Sequence, residues 1–104
     1  MIKLGDTYSY NITFNQNNVN VFAEITGDNN PIHIDSEFAK NTPFGRPIVH
    51  GFYSASVFSM VFGTKFPGEG TIYMYQDMKF FASNKFPQLP ARYCYRKSAV
   101  LFLL

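Results

Sequence analysis

The segment from residue 51 to residue 62 places the strongest constraint on the fold of this 104-residue chain. It is largely apolar and contains no internal breaker, so it predicts a helix that begins at Gly51 and ends at Gly63. Its small side chains would let the helix approach a sheet closely: Ser54, Ala55, Ser56 and Ser59. Because such a helix is apolar on nearly every side, we expect it to be buried.

Alternation of apolar and polar residues predicts two strands, one before this helix in the sequence and one after it. Residues 7–14 alternate strictly, with Tyr8, Tyr10 and Ile12 on the face that should be buried. Residues 71–81 resume the alternation, which predicts a second and longer strand. The chain therefore combines helix and sheet in one domain.

A shorter helix is predicted between the first strand and the apolar helix. Apolar residues repeat at helical spacing over residues 19–26, where Asn17 or Asn18 can cap the helix and Gly27 suits its end. Pro31 disfavours helical geometry in the residue before it. We therefore expect a turn or an extended loop after Gly27.

Composition limits the class of protein. Hydrophobic residues make up 46% of the chain and charged residues 15%, a balance typical of a globular domain. No apolar run reaches the roughly 18 residues of a membrane-spanning helix, and the first residues lack the apolar core of a secretory signal. The single cysteine excludes a disulfide within the chain. A cytoplasmic protein that does not enter a membrane is expected.

The basic charge is confined to the end of the chain. Residues 1–82 carry five basic and seven acidic side chains, whereas residues 83–104 carry four basic and no acidic ones. The net charge of +2 therefore does not come from a basic face of the domain, and no nucleic-acid partner is expected. The sequence also lacks a glycine-rich phosphate loop, which argues against nucleotide binding.

Asp28 and His33 are the first candidates for chemistry. They stand at the two ends of the string Asp-Asn-Asn-Pro-Ile-His, directly after the predicted short helix. An aspartate and a histidine held by a rigid turn can share one water molecule, and a histidine can take and return a proton near neutral pH. Turn formation alone explains this loop equally well, because aspartate, asparagine and proline are ordinary turn residues.

The junction that leads into the apolar helix, residues 45–51, is the second candidate. The N–H groups at a helix start lack intrahelical acceptors and carry the positive end of the helix dipole. Gly51 has no side chain, so a ligand oxygen could come close to its N–H, as an oxyanion hole requires. The alternative is a junction that needs glycine only for its backbone, and this motif taken by itself favours that alternative.

His50 and Ser59 also have structural explanations. A histidine at such a junction is more often satisfied by backbone groups than engaged in catalysis or metal binding. Ser59 could contact a substrate, although a serine that only packs the helix is commoner. Two histidines and one cysteine show no tight ligand cluster along the sequence, so no metal site is expected.

Three ordered strings of this chain closely resemble the MaoC-like dehydratases, specifically the short (R)-specific enoyl-CoA hydratases. The strings are Phe-Ala-Glu-Ile-Thr-Gly-Asp-Asn-Asn-Pro-Ile-His-Ile-Asp at 22–35, Phe-Gly-Arg-Pro-Ile-Val-His-Gly at 44–51, and Gly-Glu-Gly-Thr-Ile-Tyr at 68–73. Each string alone is weakly diagnostic, whereas their order and spacing together are specific. The resemblance covers roughly residues 1–82.

This resemblance implies an α+β hot-dog fold, in which a long central helix packs on an antiparallel sheet. It implies hydration of a trans-2-enoyl thioester of coenzyme A or of an acyl-carrier protein, in fatty-acid metabolism, by a homodimer without cofactor or metal. Asp28 and His33 would be the catalytic pair that holds a water for attack on C3. Gly51 would be the backbone oxyanion donor, and Ser59 a residue on the substrate side.

Residues 83–104 depart from the family pattern. Family members continue with several more strands, whereas this chain changes composition abruptly after Ala82, as a reading-frame change in the coding sequence would cause. We therefore expect residues 1–82 to be the N-terminal part of a hot-dog domain, incomplete after residue 82, and residues 83–104 to be an atypical tail.

Two functions other than that of a hydratase are also compatible with the sequence. One is a non-catalytic or truncated hot-dog fragment without activity, which the altered end of the chain would favour. The other, a hot-dog thioesterase, is less expected, because those enzymes place their carboxylate differently and lack the ordered combination of Asp28, His33 and Gly51.

Overall fold

The computed structural model of the protein describes residue 3, residues 5–80, and the backbone of residues 91–96 and 102–103. The elements are β1 (Thr7–Ile12), α1 (Gln16–Thr26), α2 (Pro31–Ile34), α3 (Ser36–Lys40), α4 (Gly51–Thr64), β2 (Thr71–Ile72), β3 (Ala91–Arg96) and β4 (Phe102–Leu103). β1 pairs antiparallel with β3, and β2 pairs antiparallel with β4. Within the described residues, no helix combines the length and the apolar character needed to cross a bilayer.

β1 confirms the alternation seen in the sequence. Its residues are exposed and half-buried in strict turn, with Tyr8, Tyr10 and Ile12 on the covered face. These three side chains pack against the core, and Phe14, just beyond the strand, is itself buried. One face of β1 therefore covers the core, as period-two patterning requires.

α1 confirms the predicted helix but not its predicted cap. Asn15 is the N-cap, and its side-chain oxygen accepts a hydrogen bond of 2.8 Å from the backbone N–H of Asn18. The prediction of Asn17 or Asn18 is wrong because the helix begins at Gln16, so both residues lie inside it. An N-cap precedes the helix and accepts from the N–H two or three residues after it. Gly27 ends the helix as predicted, with a φ of 78° that favours glycine.

The segment after Gly27 contains a helical turn, α2, where a turn or extended loop was predicted. Asn30 is its N-cap and accepts from the backbone N–H of Ile32 at 3.3 Å. Pro31 restricts only the residue before it, and its own fixed φ suits the first position of a helix. The proline thus starts a helix here, and α2 carries His33.

α4 confirms the predicted apolar helix and extends one residue past Gly63. Val57, Val61 and Phe62 are buried on one side, where they join a core with other buried side chains: Phe14, Val19 and Val49. The prediction that the helix is buried on nearly every side is wrong for the described part of the chain, because Phe52 is 75% exposed. The second side of α4 faces away from this core.

The predicted strand over residues 71–81 is only two residues long in the structure. β2 comprises Thr71–Ile72, and residues 73–80 have no regular secondary structure; residue 81 lies outside the described residues. Strand geometry depends on a hydrogen-bonded partner, and β4 offers β2 only two residues to pair with. Conversely, β3 and β4 lie within residues 83–104, where the sequence pattern assigned no strand.

Candidate active site

The site lies where α2 and the loop before it meet the start of α4. Asp28 follows the end of α1, His33 lies in α2, and His50 is the residue directly before α4. One nitrogen or carboxylate oxygen from each of these three side chains lies within 4.8 Å of the others. Residues that are up to 22 positions apart in the chain are thus brought into one cluster, which we call the Asp28–His33–His50 cluster.

The ring of His33 is fixed by a backbone carbonyl. Its Nδ1–H donates to the carbonyl oxygen of Ile48 at 2.8 Å, and the side chain is only 8% exposed. The backbone carbonyl of His33 accepts from the side-chain amide of Gln16 at 2.9 Å, which ties α2 to the start of α1. With Nδ1 carrying the proton, neutral His33 keeps the lone pair of Nε2 available to accept a proton.

His50 is the most deeply buried polar side chain of the cluster, with 1% exposure. Its ring stacks on that of His33 with centroids 3.9 Å apart, and Phe22 lies on it at 4.7 Å. Its Nε2–H donates to the backbone carbonyl of Asp28 at 3.1 Å, whereas its Nδ1 has no hydrogen-bond partner among the described residues. Burial lowers the pKa of His50 below its ordinary value, so the ring is neutral at neutral pH.

Asp28 is exposed and is the accessible member of the cluster. Its Oδ1 accepts from the backbone N–H of Asn30 at 3.3 Å, and its own N–H donates to the hydroxyl of Thr26 at 3.2 Å. An ionised carboxylate can accept several hydrogen bonds at once, so this turn contact leaves capacity for a ligand. The turn chemistry and the exposed carboxylate therefore coexist at this position.

Gly51 is the first residue of α4, immediately after His50. As the first helical residue, it has an N–H without an acceptor inside the helix. A Cβ placed on Gly51 would come within 3.3 Å of the ring of Phe80, which lies over this end of the helix. The contacts of His50 with Asp28 and His33 place the start of α4 beside the cluster.

Ser59 lies apart from the cluster, on the exposed side of α4. It lines an open cavity of about 250 Å³ together with two groups of residues, one on α4 and one on the segment after β2: Phe52, Ala55 and Ser56, then Tyr73, Gln76 and Met78. Eight residues at ~1.5 Å rise separate it from Gly51 by roughly 12 Å along the helix. The cavity therefore begins near the helix start, at Phe52, and Ser59 stands further along it.

The sequence predicted the pair Asp28 and His33 but underestimated His50. His50 does satisfy one nitrogen with a backbone carbonyl, as expected for a junction histidine, yet it also stacks on His33. No ligand cluster was visible along the sequence, but the two loops converge in space and bring Asp28, His33 and His50 together. The contact from Gln16 had no signal in the sequence, since a glutamine at a helix start is common and its partner lies 17 residues away.

Comparison with known proteins decides the family. A family model described as the MaoC like domain matches residues 3–83. The chain belongs to the MaoC-like family. Among relatives of this MaoC-like chain, the 3-hydroxybutyryl-CoA dehydratase of Methylorubrum extorquens is 54% identical over 61 residues, which cover 59% of this chain and 39% of that protein. The (R)-specific enoyl-CoA hydratase of Aeromonas caviae is 40% identical over 79 residues, or 76% of this chain and 59% of that protein.

The solved structures give the fold of the MaoC-like chain. The (R)-hydratase from A. caviae, described as involved in PHA biosynthesis, superposes with a TM-score of 0.76 at 39% identity, covering 79% of this chain and 62% of that one. The MaoC-like chain therefore has the α+β hot-dog fold, as the sequence resemblance implied. It spans about half the length of the curated relatives that it matches.

Proposed function

We propose that the protein is an (R)-specific enoyl-CoA hydratase, a hydro-lyase that adds water to a trans-2-enoyl thioester and, in reverse, dehydrates the 3-hydroxyacyl thioester. The observation that carries this proposal is the meeting of Asp28 and His33 beside the start of α4. The named relatives act on thioesters of this kind, and their family is that of this chain.

The mechanism follows from which atoms of Asp28 and His33 can still accept a hydrogen bond from water. The Asp28 carboxylate and the Nε2 lone pair of His33 can both accept from one water molecule, because Nδ1 of His33 is committed to Ile48. The water oxygen bonds to C3 as the pair takes one of its protons, and C2 receives a proton from the pair. As the water oxygen bonds to C3, the π electrons of the C2=C3 double bond shift towards the thioester carbonyl. The thioester then has enolate character, with negative charge on its oxygen, until C2 takes its proton.

The start of α4 would stabilise that transient negative charge. The N–H of Gly51 has no intrahelical acceptor, and the dipole of a 14-residue helix adds partial positive charge there. Such an arrangement typically contributes several kcal/mol (about 2.7–4 for one donor) to the transition state. The cavity lined by Phe52 and Ser59 then holds the acyl chain beyond the thioester.

The partners follow from the same assignment. The substrate is an acyl-CoA or acyl-carrier-protein thioester, since relatives named for each class match this chain. A homodimer would cover the exposed side of α4, where Phe52 is 75% exposed. The protein would act in the cytoplasm, with the family domain in residues 1–82 and a divergent segment after it.

Hydration of crotonyl-CoA, followed by the loss of the enoyl thioester absorbance, tests the proposal. We expect Asp28→Asn and His33→Ala each to lower kcat by about 10²- to 10⁴-fold, the usual contribution of a positioned acid or base. Glu37→Gln is the matched control, because Glu37 is an exposed carboxylate on α3 outside the cluster. Its kcat should stay near that of the parent chain.

Two further measurements test the stereochemistry of the product and the preferred thioester carrier. Chiral chromatography of the hydrated product should give the (R)-3-hydroxyacyl thioester; an (S) product would contradict the stereochemical part of the assignment. Parallel assays with the acyl-carrier-protein thioester would show which carrier gives the higher kcat/KM. Equal activity of the parent and both cluster variants would exclude Asp28 and His33 from the chemistry.

A non-catalytic hot-dog module is the second candidate. The open side of α4 favours it, since Phe52 and several apolar or aromatic side chains in and after β2 are more than 40% exposed: Ile72, Met74, Tyr75, Met78 and Phe80. Such a chain would fail to hydrate crotonyl-CoA although it folds, as judged by circular dichroism. Activity that depends on Asp28 and His33 would exclude it.

A further inference from the structure

The Asp28–His33–His50 cluster has the donor set of a metal site. It combines two imidazoles and one carboxylate, with a candidate ligand atom from each within 4.8 Å of the others. Imidazole and carboxylate groups are ligands of Zn²⁺, and three protein ligands with an open fourth position are usual in reactive zinc sites. With both rings neutral, the three ligands carry a net charge of −1, which favours a cation.

Both histidines are held in the way that metal ligands are held. Metal-binding histidines usually donate their second ring N–H to a carboxylate or a backbone carbonyl, which fixes the tautomer and the ring orientation. His33 donates Nδ1–H to Ile48, and His50 donates Nε2–H to Asp28, each at a backbone carbonyl. The nitrogens left with lone pairs are Nε2 of His33 and Nδ1 of His50.

An unpartnered buried nitrogen gives independent support. Nδ1 of His50 lacks a hydrogen-bond partner in the part of the chain that the structure describes, although the side chain is only 1% exposed. A buried polar atom without a partner is uncommon in folded proteins and calls for an explanation such as an ion. A cation bound to this lone pair would satisfy it.

We propose that Asp28, His33 and His50 bind one divalent transition-metal cation of the Zn²⁺ class. The two nitrogen ligands select such a cation over Mg²⁺ and Ca²⁺, which prefer sites built wholly from oxygen. Asp28 is the exposed ligand through which the ion enters, and His50 is the buried one.

The bound cation blocks hydration, a consequence that rests on the proposed function. The lone pairs that coordinate the metal are the ones that Asp28 and His33 would use to hold and deprotonate water. A chain with an occupied site therefore lacks the free base, and removal of the metal restores it. Zinc is thus a reversible inhibitor of the enzyme, bound by its catalytic pair together with His50.

Calorimetric titration of the full chain with Zn²⁺ tests the site without reference to activity. The chain is prepared without a polyhistidine tag and freed of metal with EDTA before dialysis. We expect one ion per chain, and we expect Co²⁺ to give the visible absorption of a site with nitrogen ligands. Titration with Mg²⁺ should show no binding at the same concentrations.

Substitution of single ligands assigns the site. His50→Gln keeps an amide donor for the carbonyl of Asp28 but removes the free nitrogen, and we expect it to weaken Zn²⁺ binding at least ~10- to 100-fold. Asp28→Asn, at an exposed position, should weaken binding similarly and serves if the buried substitution impairs folding. Glu37→Gln, on α3, should bind as the parent does.

Unchanged Zn²⁺ affinity in a folded His50→Gln or Asp28→Asn variant would overturn the proposal, as would the absence of binding to the parent chain. Crotonyl-CoA hydration measured with EDTA present separates this result from the proposed function. Activity in EDTA that Zn²⁺ does not inhibit would remove the metal site and leave the hydratase standing. Zn²⁺ binding without activity in EDTA would do the reverse.

Discussion

The two sides of α4 differ in how the described chain covers them. One side packs Val57, Val61 and Phe62 into the core, and all three are no more than 4% exposed. The other side carries Phe52 and Ser59 along an open cavity, with Phe52 75% exposed. Two members of the cluster at the start of the helix, His33 and His50, are also almost fully buried.

In the proposed hydratase, this contrast would place the catalytic groups and the acyl-binding surface on different sides of α4. In the proposed enzyme, the groups that activate water are held by hydrogen bonds among residues 16–50, between partners 15 to 22 positions apart. The surface that would hold the acyl chain is formed by α4 and a segment without regular secondary structure. In the proposed enzyme, the acyl-binding side is therefore the less covered of the two.

The largest effect is expected on the buried side of α4. Phe62→Ala removes a ring that is 2% exposed and that contacts Phe58 and Tyr73. We expect it to lower the free energy of unfolding by about 3–5 kcal/mol, a large part of a small domain's total. Phe38→Ala, at a ring that is 47% exposed on α3, is the matched control. Urea unfolding followed by circular dichroism measures both, and equal losses would contradict the contrast.

An intermediate effect is expected from acid, through His50. Burial holds the pKa of folded His50 below that of an unfolded histidine, so the unfolded chain takes up this proton first. The free energy of unfolding should therefore fall as the pH drops below about 6.5, the pKa of a free histidine. His33 and Asp28 face the ring, and their charges act on it with opposite signs.

His50→Gln provides the comparison for this acid effect. The variant starts less stable, but its free energy of unfolding should decline less steeply between about pH 7 and pH 5, because position 50 no longer titrates. Urea unfolding at several pH values gives the two slopes. An identical slope in the parent and the variant would show that His50 does not contribute.

The smallest effect on stability is expected on the open side. In the monomer, Phe52→Ser should change the free energy of unfolding by no more than about 0.5 kcal/mol, because the ring is 75% exposed when no second chain covers it. In the proposed enzyme, the same change should raise KM for long acyl thioesters, since Phe52 lines the cavity. Phe38→Ser should leave KM unaltered. A loss of stability as large as that of Phe62→Ala would show that this side is buried in solution.

The sequence predicted those parts of the fold that depend on local signals. The alternation in β1, the unbroken apolar stretch of α4 and the stop at Gly27 are each local signals, and the structure confirms the elements that they predict. The strand predicted over residues 71–81 is wrong for residues 73–80, because a strand needs a partner and the alternation of one segment does not supply it. The pairing of β1 with β3 had no readable signal for the same reason.

The site was predictable only in part. The proximity of Asp28 and His33 could be predicted because one short segment carries both, and the cap at Asn30 starts the helix that holds His33; their catalytic role stays a prediction. The stacking of His50 on His33 depends on how the junction before α4 packs against that loop. No spacing in the sequence encodes such a contact, so the third member of the cluster needed the structure.

The contact between the ring of Phe80 and Gly51 has an evolutionary consequence. The ring stands 3.3 Å from where a Cβ at position 51 would be, so the sizes of these two residues are coupled although 29 positions separate them. A larger residue at 51 would require the half-exposed ring at 80 to move by at least a few tenths of an ångström, or a smaller residue there. In homologous chains we therefore expect the residues at positions 51 and 80 to co-vary, so that a glycine at 51 accompanies a large aromatic ring at 80.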